Sequence, residues 1–447
     1  MRRSSAVEGE LRLVQTPIEC AASAVVSFAA MYVAYEVLLY LVLILALPYF
    51  LVTGVLRGKY VANFPERMGF YKHRGERHDL WIHAVSVGET IAARAVVTEI
   101  LAQRPETSIV FTTTTLTGQA QARRLYPDAT VTYFPFDFAF AVRRFLDQHQ
   151  PRAFATMETE IWPNVTRIAR QRGLKLLLAN GRISDRSLPR YRALRAIVGA
   201  VLRKYDRILA REEADRARFV AIGAPAEIVE VSGNVKFDYE PDDTPLEIAP
   251  RLHSLIGDRT VLVLGSTMEG EDEALLPEVE RFVAEHHAFV VIAPRKPERF
   301  ELVAGLLAMS TLRFVRRREL DAFEGDADVL LLDTFGELAK IYRFAAVAFV
   351  GGTLVPTGGH NPIEPAAAGV PVCFGPSMSN FREIADVFLR NEAAVQVKSA
   401  AEAVDFAGAM FDNAALRKAW GERARQTVLQ NRGASERTAR RIVELLA

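Results

Sequence analysis

The feature that most constrains this chain is a unit that recurs along it: a short apolar run, a polar or glycine-bearing turn, then a stretch with helical periodicity. Leu80–Val85 leads through Ser86-Val87-Gly88-Glu89 into IAARAVVTEILAQ, whose apolar residues fall at helical spacing. Ser108–Thr115, Thr130–Phe134, Ala153–Met157, Lys175–Ala179, Arg207–Ala210 and Ile228–Val231 read as further strands. An acidic, proline-rich stretch, Asp238–Pro250, separates these from Thr260–Leu264, Phe289–Ala293, Val329–Leu332, Ala345–Val350 and Val370–Cys373. From Asn413 the chain reads as two helical stretches broken near Gly433. Strands that alternate with helices and gather polar residues at their C-terminal ends describe parallel, doubly wound α/β sheets. A chain of 447 residues exceeds one hydrophobic core. The expectation is two Rossmann-like domains facing across a cleft, with ligands at the strand C-termini.

One segment stands apart. Val37–Leu56 runs for twenty residues without a charge, enough for a hydrocarbon core of roughly 30 Å, and membrane helices tolerate a proline such as Pro48. Arg57, Lys59, Arg67, Lys72, Arg74 and Arg77 follow, which by the positive-inside rule puts the remainder in the cytoplasm. A membrane-anchor helix over 31–57 is expected, preceded by an extension over 1–30; a buried or interfacial helix is the rival. The length of the run argues against a cleaved signal peptide. A net charge of +1, 55 basic against 54 acidic residues, disfavours a nucleic-acid partner held by bulk electrostatics. Cys20 and Cys373 lie far apart in apolar surroundings, so no disulfide framework or cysteine metal site follows.

Candidate chemistry sits at predicted strand ends. In Gly351–Val372, paired glycines follow a strand, and Asn361, Pro362 and Glu364 read as N-cap, first helical residue and capping-box acid. Two readings compete: a strand-to-helix turn whose Glu caps its own helix, or a nucleotide site with glycines near phosphate and Glu364 on ribose hydroxyls. Glu89 is either a general base in a cleft or a first-turn acid that complements the helix dipole. Met157-Glu158-Thr159-Glu160-Ile161-Trp162-Pro163-Asn164 places two acids directly after an apolar strand, again a cleft or a capped helix start. Lys236 and Arg295 follow strands as candidate anion-binding cations, with Phe335-Gly336-Glu337 at a neighbouring strand end. Arg182, Arg186, Arg190, Arg192, Arg195, Arg203 and Lys204 form either a solvated face or a contact for anionic head groups. The sequence has no HExxH, GxSxG or P-loop pattern, so neither metal catalysis nor those hydrolase classes are indicated.

Six motifs then converge. HAVSVGE (83–89), METEIWPN (157–164), NGRIS (180–184), GNVKFD (233–238), PRKPERF (294–300) and GGHNPIE (358–364) resemble, in order, the 3-deoxy-D-manno-octulosonic acid (Kdo) transferases of lipopolysaccharide synthesis. The resemblance spans about residues 35–440. It implies a GT-B glycosyltransferase with no cofactor or metal, moving Kdo from CMP-Kdo to a lipid A precursor, lipid IVA, at the cytoplasmic face of the inner membrane. Its expected partners are that donor, that acceptor and the phospholipid surface. By motif, Glu89 matches the family's catalytic base, and Glu158 and Lys236 match positions that stabilise the transition state. The CMP contacts fall on Pro294, Arg295, Phe335, Gly336, Glu337, Asn361, Pro362, Ile363 and Glu364. Residues 1–30 extend past the usual start, and Phe335 stands where Met is common in the family. The domains implied are 58–240 for the acceptor and 251–447 for the donor, joined by 241–250. The alternatives are a UDP-sugar transferase or epimerase of the same fold, and a non-catalytic, membrane-tethered sugar-nucleotide-binding protein.

Overall fold

Among the described residues of the computed structural model every strand pairing is parallel, and the strands form two seven-stranded sheets. The structure describes residues 30–46, 48, 63–71, 75–241 and 243–447. The first sheet holds β1 (Leu80–His83), β2 (Ile109–Thr113), β3 (Thr130–Tyr133), β4 (Ala153–Met157), β5 (Lys175–Gly181), β6 (Arg207–Ala210) and β7 (Val229–Val231), in the order β3-β2-β1-β4-β5-β6-β7. The second holds β8 (Thr260–Thr267), β9 (Ala288–Pro294), β10 (Phe314–Arg316), β11 (Val329–Leu331), β12 (Val347–Val350), β13 (Val372–Phe374) and β14 (Ala394–Gln396), ordered β10-β11-β9-β8-β12-β13-β14. Sequence periodicity anticipates all seven strands of the first sheet. It misses β10 and β14, the three-residue strands at the two edges of the second sheet.

Helices cover both faces of such sheets, so β1, β2, β4, β9 and β12 are buried along their whole length. Trp81 on β1 shows how the first core is satisfied. Its ring lies 4.3 Å from that of Phe145 and 4.1 Å from that of Phe154, and its indole N–H donates to Thr112 Oγ1 at 2.8 Å. Burial of such a side chain contributes roughly 1.5–3 kcal/mol without leaving its polar atom unpaired. The helix Val87–Gln103 turns Thr90, Ala93, Val96, Val97 and Ile100 inward, the three-and-four spacing of a helix laid against a sheet.

The chain divides into two units, one running up to Gly233 and including Glu436–Ala447, the other Asn234–Ser435. This differs from the expected 58–240 and 251–447 at both ends. The helix Ala434–Leu446 is held to the first unit by Arg441, which pairs with Glu230 at 2.8 Å, and by Arg437, which donates to the Ser232 carbonyl at 2.8 Å. Arg104 and Arg152 both donate to the Leu446 carbonyl.

The anchor expected over 31–57 falls only in part on described residues. Residues 30–46 are helical, but no helix among the described residues is long and apolar enough to cross a membrane. Leu47 and residues 49–62, with most of the second half of Val37–Leu56, lie outside the described residues, as does nearly all of the extension over 1–30. The start of this helix carries polar side chains that bind the first unit. Tyr35 donates to Asp137 Oδ2 at 2.8 Å, and Glu36 accepts from the Ala139 N–H at 3.0 Å and the Asn164 side chain at 2.5 Å. Burial pushes the Asp137 carboxyl up to about 7. Val37, Leu38, Leu41, Val42, Ile44 and Leu45 are exposed.

Candidate functional site

In the first sheet the strand order reverses between β1 and β4, and in the second between β8 and β12. A doubly wound sheet opens a crevice for ligands at that point, beyond the strand C-termini. The candidate acids of the first unit are found there.

Glu89 sits in the first turn of the helix after β1, where Ser86 is the N-cap. Its Oε2 accepts the Val85 N–H at 2.7 Å, and its Oε1 accepts the Ser86 hydroxyl at 3.0 Å. The self-capping geometry is therefore present, and it also fixes the carboxylate at the strand end. Glu158 directly follows β4 in a left-handed conformation, φ +59°, which a non-glycine residue adopts only when its surroundings impose it. The Arg211 side chain, 2% exposed, meets Glu158 at 2.5 Å and donates through Nε to the Asn180 carbonyl at 3.1 Å. Glu160 completes the group. Burial, then the charges of Glu89 and Glu158, push its carboxyl up to about 7. His83, at the end of β1, is fully buried and stacks on Phe134 with ring centres 3.8 Å apart. Burial drives its pKa down to about 3, so it is neutral.

Lys236 belongs to the second unit, on the short 3₁₀ turn Val235–Asp238 that Asn234 caps at 3.1 Å. Its ammonium lies 5.3 Å from the centre of the Phe381 ring. Pro294 ends β9; Arg295 follows it, exposed, its N–H donating to the Thr267 carbonyl at 2.9 Å. Arg295 is close enough to influence two groups of the loop after β12. After burial, its charge is the second cause that holds His360 down near 4, and it counters the upward push of burial on Glu364. The expected capping box is rearranged. The helix is Ile363–Ala367, preceded by Pro362; Asn361 Oδ1 accepts the Ile363 N–H at 3.1 Å, and its amide donates to Glu364 at 3.2 Å. Glu364 is thus oriented by Asn361.

Phe335 and Gly336 follow β11. The Phe335 ring, 59% exposed, leans on Phe300 with centres 5.6 Å apart. Gly336 has φ +86° with open space at its Cβ position. Glu337 is held by the Arg317 guanidinium at 3.0 Å and by the Thr334 hydroxyl. Arg295, His360, Asn361 and Glu364 therefore converge, and Phe335 borders the same segment as Arg295 through Phe300. The glycine amides bear on the two readings of this loop. The Gly352 N–H donates to Glu271, Gly358 to Ser377 and Gly359 to the Gly352 carbonyl, so these amides serve the protein itself rather than an added phosphate.

Sequence reasoning did not single out Arg211 or Glu271. Arg211 had a usable sign, a charge placed directly after an apolar strand as Glu158 is. Glu271 sits in Glu269-Gly270-Glu271-Asp272-Glu273, where every acid reads as a complement to the helix dipole. No cluster of three or more potential metal ligands occurs among the described residues.

Residues 62–239 match a family model described as 3-deoxy-D-manno-octulosonic-acid transferase (kdotransferase). A 3-deoxy-D-manno-octulosonic acid transferase of Haemophilus influenzae is 34% identical over 385 residues, 85% of this chain and 90% of that protein. Its counterpart from Bordetella pertussis is 36% identical across 80% of this chain and 85% of its own length. A crystal structure of a glycosyltransferase from Rickettsia africae ESF-5 matches 83% of this chain and 98% of that one with a TM-score of 0.55, at 11% identity. That last likeness concerns fold alone: two parallel-sheet α/β domains of GT-B type. With two parallel sheets, acids at the first switch point and relatives of this identity and coverage, the chain belongs to the Kdo transferase family of glycosyltransferases.

Proposed function

We propose that this chain transfers Kdo from CMP-Kdo to a phosphorylated lipid A precursor, lipid IVA, with inversion at the anomeric carbon and without a metal. The observation that carries the reading is Glu89 fixed at the β1 end, beside Glu158 and Glu160 at the β4 end, in a chain of this family. Glu89 removes the proton from the acceptor hydroxyl as that oxygen attacks the anomeric carbon. The bond from that carbon to the CMP phosphate oxygen breaks, and CMP leaves with the electron pair. A single displacement of this kind inverts the centre.

Developing negative charge on the leaving phosphate, and the carboxylate of the sugar, call for cations. Arg295 and Lys236 supply them. Glu158, held by Arg211, supports positive charge on the sugar as the bond breaks. Phe335 offers a face to the cytosine, while Asn361 and Glu364 take the ribose, with Pro294, Gly336, Glu337, Pro362 and Ile363 shaping that pocket. The acceptor is a lipid, so the enzyme works at the cytoplasmic face of the inner membrane. The exposed apolar residues of helix 30–46 suit an interfacial contact there.

Incubation with CMP-Kdo and lipid IVA, followed by mass spectrometry, tests the whole reading, and transfer should persist in a chelator. Thermal-shift titration separates the donor class. Stabilisation by UMP or UDP but not by CMP would sink the CMP-Kdo assignment in favour of a UDP-sugar enzyme.

A further inference from the structure

The second unit contains a backbone cradle for an anion, and the anion that fills it is the chain's own. Glu271 is fully buried. Its Oε1 accepts the N–H groups of Thr353 and Leu354, each at 2.8 Å. Its Oε2 accepts those of Gly352 at 2.6 Å and Met268 at 3.0 Å. Bonds to an ionised acceptor are the stronger kind, and four of them oppose the burial that holds the Glu271 carboxyl above its ordinary range. Glu271 opens the helix after β8, whereas three of its four donors follow β12. It thus ties together the two strand ends at which the sheet order reverses.

From there the restraint passes along the loop. Gly352 takes φ +70°, and a Cβ added to it would stand 2.9 Å from His360 Cδ2, so the imidazole packs flush on the glycine. The Gly352 carbonyl accepts the Gly359 N–H at 2.8 Å and the Thr357 hydroxyl at 2.9 Å. Thr353 Oγ1 donates to the Val350 carbonyl and accepts the Gly375 N–H, both at 2.7 Å. A shift at residues 352–354 therefore displaces His360, and behind it Asn361 and Glu364.

We infer that Glu271 is a positioning residue for the donor nucleotide, its carboxylate holding loop 351–360 in the shape that presents Asn361 and Glu364 beside Arg295. This rests on the proposed reading of those three residues as nucleotide contacts. It also assigns the donor phosphate to side chains such as Arg295, because the amides of residues 352–354 already face Glu271.

The test compares the full-length protein with Glu271→Gln, which turns an amide NH₂ toward N–H donors, and with Glu271→Asp, which is one methylene too short to reach all four. For Glu271→Gln the donor KM and the CMP Kd should rise at least about tenfold, with kcat within about threefold and the acceptor KM unchanged. Amide exchange at residues 352–354 should accelerate while that of β8 and β9 does not, and Glu271→Asp should fall between. If Glu271→Gln does not fold, the Asp variant alone decides by the same split. An unchanged donor KM overturns the inference, as does a parallel loss of kcat and acceptor affinity, which marks a general structural role. CMP binding and amide exchange are read without Kdo transfer, so a wild-type protein that binds no CMP overturns the nucleotide reading itself. Tight CMP binding that is indifferent to position 271 overturns this inference alone.

Discussion

Ser86 donates its hydroxyl to Glu89 Oε1 at 3.0 Å while its own oxygen receives the Glu89 N–H, so cap and candidate base hold each other. A carboxylate restrained on one oxygen by a hydroxyl and on the other by the Val85 N–H spends little rotamer entropy when a substrate hydroxyl arrives. Glu89→Gln keeps the shape and one of the two acceptor oxygens, with the amide free to donate to Ser86 Oγ, but cannot take a proton. We expect kcat to fall by about 100- to 10,000-fold with the melting temperature nearly unchanged. Transfer at wild-type rates with intact binding would exclude Glu89 as the base. Ser86→Ala should cost about 1 kcal/mol of stability through the lost cap and lower kcat as well, because the carboxylate loses a restraint.

Arg211 and Glu158 make a pair of unequal exposure, 2% against 28%. Removal of the more exposed partner leaves the more buried charge behind, and breaking such pairs costs about 3–5 kcal/mol. Glu158→Ala is expected to destabilise the protein by ~3 kcal/mol in urea unfolding, Glu158→Gln by less, since Gln still offers an oxygen. Equal and small losses for the two variants would show that Arg211 is satisfied without the carboxylate.

The Glu160 carboxyl gives a pH signature. Its ordinary value is 4.5 and its folded value about 7, so between these pH values the native state binds the proton more tightly than the unfolded chain. Stability conferred in the protonated form is lost as pH rises from about 4.5 to 7, and is flat above. The full difference corresponds to ~3 kcal/mol, reduced by partial contact with solvent. Asp137 contributes in the same sense and a similar window. Glu160→Gln should therefore weaken, without abolishing, the fall in urea midpoint between pH 5 and 7.5. An unaltered pH dependence would mean that Glu160 titrates normally in the folded protein.

Phe335 carries the donor prediction. Its ring is 59% exposed and touches Phe300, so its removal costs the fold little. Aromatic stacking on a base is worth about 1–3 kcal/mol. Phe335→Ala is expected to weaken CMP binding by about tenfold in calorimetry, and Phe335→Tyr to preserve it. A Phe335→Ala variant with wild-type CMP affinity would remove this residue from the site.

These residues also show why some of the molecule could be read from sequence and some could not. The strands of the first sheet fall on short apolar runs that give way to polar, charged or glycine residues or to proline, and Glu89 and Glu158 stand where such runs end. Position relative to a strand is local information. What Glu271 touches is not, since its four donors are split between Met268 and residues 352–354, and nothing near it in sequence distinguishes it from Asp272 or Glu273. The glycine loop left two readings open for the same reason. Its glycines are real, with φ +70° at Gly352 and +92° at Gly358, but only the fold shows that their amides are already bound. The helix over 30–46 could be recognised as apolar, whereas its grip on Asp137 and Asn164 required the two segments in place.

Gly265 lies near the end of β8, where a methyl group would stand 2.1 Å from the Tyr342 hydroxyl and 3.1 Å from its Cζ. Tyr342 is buried against Gly265, and Glu364 acts on its hydroxyl electrostatically. Gly265→Ala must move either the ring or the strand, an overpacking worth about 1–3 kcal/mol. Tyr342→Phe deletes the atom that would be struck. Because the clash is with the hydroxyl first, the double variant should be more stable than the sum of the single losses predicts, a coupling that unfolding of all four proteins measures directly. Strict additivity would show that the strand yields instead of the ring. In that case Gly265→Ala should shift Ser266 and Thr267 and weaken CMP binding, which Tyr342→Phe would not restore.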